Sequence, residues 1–361
     1  MHEFTPLIPT RHRDSVVERN ITTWESIYRH KYSENNFQAM QTLLAKDYRW
    51  HGTMGASYSF SVEKEKNALI SFAQKTKKGI PDIRFSHHMF GEGNMLGNFM
   101  IIEGQHMGEY FEVPPTGNSI RFFGVAIARF DEQGKLVEER ELWDELQLLR
   151  QIGSVKNHDS IFMDGLFRDK QGEFIKPNYS PVIALSPENF LYHDKGSGIL
   201  SRTPQVARNI EQWRKFTEKK YFTPEFAGVD EVMHAAYQYF GSGGAHSDMN
   251  DPAQRAAMFE DFSNGAKVIA DLQFYSHLFG EGDMLAYNVA YNYRHMGAEH
   301  GYPMNGQPVC NGNISIGRFD NEGKIIAEFE MHDHLAHFKQ LGFIENTSDN
   351  LLLIDVLRNI R

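Results

Sequence analysis

Four residues have the types needed for proton transfer: His106 and Asp144 in the first half of the chain, and His295 and Asp333 in the second. A carboxylate held in apolar surroundings has a raised pKa and becomes a competent base near neutrality. A neutral histidine or a tyrosine can donate to an enolate oxygen as charge develops on it. Together they supply the minimum for taking a proton from the carbon next to a carbonyl. The same residues have plainer uses. An aspartate just before helix-like residues caps that helix, and a buried histidine can be a satisfied part of a core. The residues alone leave both readings open.

The pairs recur because the chain repeats itself. His88-Met-Phe-Gly-Glu-Gly-Asn-Met-Leu96 returns as His277-Leu-Phe-Gly-Glu-Gly-Asp-Met-Leu285, an offset of 189 residues (277 − 88). That offset carries His106 to His295, Arg129-Phe-Asp131 to Arg318-Phe-Asp320, Asp144 to Asp333 and Trp24 to Trp213. Two long copies indicate a duplicated domain rather than a solenoid. The expected organisation is a first domain over 1–153, an interdomain segment over 154–207, a second domain over 208–342 and a tail over 343–361. The interdomain segment is rich in aromatic residues, so it is expected to pack along the domains. The tail reads as a short docked helix.

Each unit is expected to open with helices and continue as strands. Ile21, Trp24, Ile27 and Tyr28 recur at helical spacing, as do Phe37, Met40, Leu43 and Leu44; a third helix is expected over 62–78. After Pro81 the period becomes two, with strands over 83–91, 95–107, 119–130 and 135–146 and turns at Asn94 and Gln133-Gly134. Helices before an antiparallel meander read as α+β. Alternation along the strands places Met100, Ile102 and Gly104 on the face of His106, and Val289, Tyr291 and Tyr293 on that of His295. It places Leu142 with Asp144, and Ala327, Phe329 and Met331 with Asp333. If these faces line one cavity, histidine and aspartate meet there.

Over about 19–153, and most specifically over 106–153, the sequence resembles the SnoaL-like polyketide cyclases of the nuclear-transport-factor-two-like superfamily. The resemblance rests on His106-Met-Gly-Glu, Val113-Pro-Pro-Thr-Gly117, Arg129-Phe-Asp-Glu-Gln-Gly-Lys-Leu-Val-Glu138, Trp143-Asp144 and Leu148-Leu-Arg-Gln-Ile-Gly153. The second unit is similar to the family with drifted motifs. The resemblance implies two tandem conical barrels, each with about three helices on a strongly curved antiparallel sheet. It implies a pocket inside each cone and dimerisation through the sheets, here a pseudo-dimer within one chain with further oligomerisation possible. It also implies ring closure by intramolecular aldol condensation without metal or organic cofactor, with Asp144 and Asp333 in the position of the general acid/base. Arg140 departs from the bulky aromatic usual there, a character that Phe329 keeps. Trp50, His51, Arg140, Tyr291, Tyr293 and Phe329 are the candidate substrate-binding residues.

Composition narrows the remaining classes. Lys and Arg number 37 against 47 Asp and Glu, a net charge of −10, which lacks the basic footprint of a nucleic-acid binder. A single cysteine, Cys310, excludes an intrachain disulfide framework. No apolar run is long enough to span a bilayer, and the first residues do not read as a signal peptide, so a cytoplasmic location is expected. His332, Asp333, His334 and His337 cluster, but Trp143, Glu145 and Leu148 stand at corresponding places in the first unit, so no shared metal site is expected. Three readings remain: a cofactor-independent acid/base enzyme acting on a small, mostly apolar carbonyl compound; a non-catalytic small-molecule binder on the same scaffold; and an interaction module.

Overall fold

A computed structural model of the chain describes residues 13–155, 171, 180, 202–223, 226–267, 269–296 and 306–345. The expected tail helix and most of segment 154–207 lie outside these residues. The first unit runs α1 (Ser15–Tyr28), a π-turn (Arg29–Ser33), α2 (Phe37–Thr42), β1 (Leu44–His51), a 3-10 turn (Thr53–Gly55), β2 (Ser57–Ser59), α3 (Glu63–Gly79), β3 (Arg84–Glu92), β4 (Met95–Gln105), β5 (Ser119–Phe130), β6 (Leu136–Trp143) and α4 (Glu145–Gln151). The second runs α5 (Pro204–Phe222), a 3-10 turn (Val229–Glu231), β7 (Met233–Gly241), a 3-10 turn (Ser242–Gly244), β8 (Ala245–Asp248), α6 (Pro252–Lys267), β9 (Ile269–Glu281), β10 (Met284–His295), β11 (Pro308–Phe319), β12 (Ile325–His332) and α7 (His334–Gln340).

Each opening helix has its cause in the sequence. The Asp14 side chain caps α1 by accepting from Val16 N. In α5, Thr203 caps and Pro204 takes the first turn, where its missing N–H costs nothing. Val17, Asn20, Trp24 and Ile27 form a buried stripe on α1; Val206, Asn209, Ile210, Trp213 and Phe216 do so on α5. Trp24 and Trp213 are buried core residues; truncating either would cost about 3–5 kcal/mol.

Both sheets have six strands, in the orders β2-β1-β6-β5-β4-β3 and β8-β7-β12-β11-β10-β9. The α+β architecture is as expected, but each sheet is open rather than a closed barrel, and β1–β6 and β7–β12 pair in parallel. Leu44 begins β1 instead of ending a helix, and β1 and β2 were not legible in the hydrophobic pattern. Lys46, Asp47 and Arg49 make β1 polar on its outward side, and its parallel partner lies far along the chain. Interruptions in the β1–β6 and β5–β6 registers bend the sheet.

Each sheet covers its own helices with one face and the other sheet with the other. On β4, Leu96, Met100 and Ile102 join the core formed with α1 and α3. Met95, Phe99 and Ile101 join Phe329, Met331, Ile314 and Phe279 in a core between the units. The boundary is tied by contacts that recur at the repeat offset. Glu92 accepts from Gly280 N and pairs with Arg202, while Glu281 accepts from Gly91 N and pairs with Arg13.

Candidate active site

Alternation along β6 sorts its side chains between two environments. Glu138, Arg140 and Leu142 face the boundary between units; Glu139, Glu141 and Trp143 face the helices. Two carboxylates therefore stand inside the first cone, both almost fully buried. Glu141 Oε1 accepts from Tyr28 OH and, at 2.7 Å, from Trp143 Nε1; its Oε2 lies 3.4 Å from Trp50 Nε1. Glu139 Oε1 accepts from Tyr48 OH, whereas Glu139 Oε2 has no hydrogen-bond partner among the described residues. Burial, reinforced by the neighbouring Glu141, pushes the Glu139 carboxyl up to about 7. His87 is neutral: burial lowers it to about 4, and it is 3.0 Å from Asn98 Nδ2.

The pair borders two small cavities of about 20 Å³ each, and Trp50 and Leu69 line both. Each has room for about one water molecule. One meets Glu141, Trp143, Phe72 and Thr53; the other meets Glu139, Tyr48, Phe60 and Lys31. Gly52 lets the Trp50 ring fold back over the backbone, since a Cβ there would lie 1.7 Å from Trp50 Cη2.

The second cone carries the same pair as Glu328 and Glu330, with different partners. Tyr237 OH donates to Glu328 at 2.6 Å, and Tyr239 OH donates to Glu330 at 3.0 Å. Asn313 Nδ2 (2.5 Å) and Ser315 Oγ (3.3 Å) also donate to Glu330. His332 Nε2 is 3.2 Å from Glu330. The buried Lys220 ammonium lies 3.5 Å from Glu330. Burial works against that ammonium, but Glu328 and Glu330 outweigh it and hold it charged. In turn burial would raise Glu330, but Lys220 and His332 hold it well below the usual carboxylate range.

The expected aspartate–histidine pairs do not form. Asp144 Oδ1 accepts from Gln147 N (3.1 Å) and Gly243 N (2.9 Å), and Oδ2 from Gly244 N (2.9 Å). Asp333 Oδ1 accepts from Met54 N (2.7 Å) and Ala336 N (3.0 Å), and Oδ2 from Gly55 N (2.9 Å). Each aspartate thus caps its own helix and also binds the 3-10 turn of the opposite unit. Burial raises Asp144 to about 6, against the three amides that favour its charged form. His106 is on the other side of the sheet, in line with Met100 and Ile102, where its Nδ1 is 3.0 Å from Thr116 Oγ1. The His295 ring packs 6.0 Å from that of His337.

Three expected binding residues also face the boundary rather than a cavity, which corrects their reading as cavity walls. Arg140 donates to Asn288 Oδ1 at 2.7 Å across the boundary. Phe329 packs 4.1 Å from Phe99 and stacks on Phe240 at 4.8 Å. His51 Nε2 is 2.8 Å from Glu138. The assumption that failed was that the Leu142 and Phe329 faces look into the cones; they are the faces buried between sheets. Trp50 does line both cavities, and Tyr291 and Tyr293 point to the helix side of unit two, where their hydroxyls meet His332 Nδ1 (3.2 Å) and His337 Nε2 (3.1 Å). Among the described residues no group of three His, Cys, Asp or Glu is placed to hold a metal ion, and no helix is long and apolar enough to cross a membrane.

The sequence reasoning missed Glu139, Glu141, Glu328 and Glu330. Their signal was present as acids at alternate positions of a strand, repeated at the same offset in both units.

Comparison with known proteins agrees with the duplication. The sequence pattern of the family described as SnoaL-like polyketide cyclase matches residues 22–152 and again 211–341. No curated protein matches. Among solved structures, the chain is similar to a candidate SnoaL-like polyketide cyclase from Jannaschia sp. CCS1 (15% identity, 40% of this chain and 99% of that one, TM-score 0.36). It is also similar to IdmH, a candidate polyketide cyclase from Streptomyces antibioticus (21%, 37% and 98%, TM-score 0.32). A third is an NTF2-like protein of unknown function from Burkholderia pseudomallei K96243 (18%, 37% and 97%, TM-score 0.30).

Proposed function

Starting from the premise that this chain belongs to the SnoaL-like polyketide cyclase family, twice over in tandem, we propose that its first unit performs cofactor-independent acid/base chemistry on a small, mostly apolar carbonyl compound. The observation that carries this reading is the buried Glu139 oxygen without a partner, on a carboxyl raised to about 7. Such a group gives and takes protons at neutral pH. Glu139 removes a proton from the carbon next to the carbonyl, and the electron pair passes to the carbonyl oxygen. Tyr28, Trp50 and Trp143, which now donate to Glu141, are the donors within reach of that oxygen. The enolate then attacks a second carbonyl of the same molecule, closing a ring whose new alkoxide takes the proton back from Glu139, or it is reprotonated by Glu139 at a different carbon, giving an isomer. Trp50 lines both cavities, so displacement of its ring would enlarge the room for a substrate.

Asp144 and Asp333 have a different task in this scheme: they hold the units together. The test is product detection by mass spectrometry over a panel of small ketones, aromatic esters and hydroxylated polyketide-like compounds. Glu139→Gln is expected to lose about 100-fold or more of turnover. Asp144→Asn, while less stable, is expected to retain turnover within a few-fold once folded. A Glu139→Gln protein as active as wild type would overturn the reading. The small cavities favour a second reading, a non-catalytic binder; thermal stabilisation by a compound that no variant converts would select it.

A further inference from the structure

The two acid pairs differ in what neutralises them. In unit two the Lys220 ammonium lies between aromatic rings and acids, 5.5 Å from the Tyr221 ring centroid, 5.8 Å from that of Phe216 and 3.5 Å from Glu330. The repeat offset places Lys31 at the same position in unit one. Lys31 is only partly buried and lies over the rings of Tyr32 (5.0 Å) and Tyr28 (5.8 Å). Among the described residues it makes no ion pair with Glu139 or Glu141. The consequence is the Glu139 Oε2 atom, buried and without a hydrogen-bond partner. The cavity that Glu139 borders is lined by Tyr48, Trp50 and Phe60 and also by Lys31, whose charge moderates the rise of the Glu139 carboxyl without pairing with it, and its volume of about 20 Å³ suits a water-sized group.

An aromatic wall with a carboxylate at its base is the chemistry that recognises an organic cation. We propose that the acid pair of unit one takes up the protonated amine of a ligand, a primary ammonium head occupying the place that Lys220 fills in unit two. The proposal rests on the reading that the Glu139–Glu141 pair is the working site: an amine seated there occupies the one free oxygen of Glu139, so it is a ligand that blocks the acid/base reaction rather than its substrate. Glu141, Lys31, Tyr28, Tyr32, Tyr48 and His87 are the titratable groups around Glu139. His87, Tyr28 and Tyr32 are neutral at pH 6–8, so Glu139 is the group that changes charge there. An ammonium needs the Glu139 carboxyl ionised, so affinity rises with pH, by about ten-fold between pH 6 and pH 8 for a group titrating near 7.

The test is titration of the full chain with n-butylammonium and, as the neutral control, n-butanol, monitored by tryptophan fluorescence and calorimetry at pH 6 and pH 8. Glu139→Gln and Glu141→Gln are measured alongside, each first checked for a native unfolding transition. The expected result is saturable binding of n-butylammonium that is tighter at pH 8. It should be at least ten-fold weaker in whichever Gln variant folds, and n-butanol should bind at least ten-fold more weakly than the amine. Absence of saturable amine binding to wild type, or equal binding of n-butanol, overturns the proposal. If neutral ketones are nevertheless converted in a Glu139-dependent way, the ammonium proposal alone has failed. If Glu139→Gln keeps full turnover, the underlying reading has failed with it.

Discussion

Lys31 and Lys220 stand at the same place in the repeat, yet one lies partly exposed over two tyrosine rings and the other is buried beside two glutamates. The opening helices account for the difference. In unit two α5 runs unbroken to Phe222, so Lys220 continues the stripe of Val206, Trp213 and Phe216 and is carried into the core. In unit one α1 stops at Tyr28 and the chain passes into a π-turn over Arg29–Ser33. A π-turn adds a residue to the turn and shifts the phase of the side chains beyond it. The buried positions become Tyr28 and Tyr32, and Lys31 turns away. A local change of helical winding thus leaves one acid pair closed by the chain's own cation and the other open. Two copies of one fold have come to hold the same carboxylates in different states.

The largest effect should come from removing the cation that closes unit two. Lys220→Met leaves Glu328 and Glu330 buried without their counter-charge and is expected to destabilise by about 3–5 kcal/mol. Lys31→Met, which breaks no ion pair with the acids, should cost under about 1 kcal/mol. Urea unfolding of both variants, read as transition midpoints, checks the contrast. Equal losses would mean that Lys31 serves its acid pair as Lys220 does.

Next in size is an effect of opposite sign. The Glu139 carboxyl is raised to about 7 in the folded chain, from an ordinary value of 4.5. Between those values the folded state binds more protons than the unfolded one, so stability falls as pH rises through the interval. Above pH 7 the burial of this charge costs on the order of 3 kcal/mol. Glu139→Gln should therefore be more stable than wild type at pH 8, and its stability should be flatter between pH 4.5 and 7. Thermal melts at pH 5 and pH 8 measure both. A Gln variant that is less stable at pH 8 would show that the carboxylate contributes to the fold rather than burdening it.

These contrasts also explain what could be seen in the sequence. The duplication, the α+β order and the later strands were legible because they depend on local period and on repeated motifs. β1 was not, because its partner β6 lies almost a hundred residues away and parallel pairing has no hairpin to announce it. The site was misplaced for a related reason. Alternation put Leu142 on the face of Asp144, which leaves Glu139 and Glu141 on the other, but it does not say which face looks inward. The apolar face was taken for the pocket, when in a paired sheet it is the surface buried against its partner. The charged face, Glu139 with Glu141 and Glu328 with Glu330, was the one inside the cones. Asp144 was legible as a helix cap; that its second contact would be Gly243 and Gly244 of the other unit required the two sheets to be placed together.

The smallest effect tests whether the units remain alike where they meet. Glu92 and Glu281 each accept a backbone amide from the opposite sheet and each pair with an arginine preceding a unit's first helix. The symmetry is not complete. Arg202 grips Glu92 with two nitrogens, at 2.8 and 3.1 Å, and its Nη2 reaches Leu278 O at 3.3 Å. Arg13 reaches Glu281 with Nε at 2.9 Å and Met89 O with Nη2 at 3.2 Å. A two-pronged arginine–carboxylate pair is stronger than a single contact, and both pairs are only partly exposed. Arg202→Ala should therefore lower stability by about 1 kcal/mol and Arg13→Ala by about half that. Because the two sites are separate, the double variant should lose the sum. A loss well beyond the sum would mean that the two ties open together. The boundary would then be one cooperative unit despite the difference between its two arginine ties, in contrast to the acid pairs inside the cones, whose different partners set them in different states.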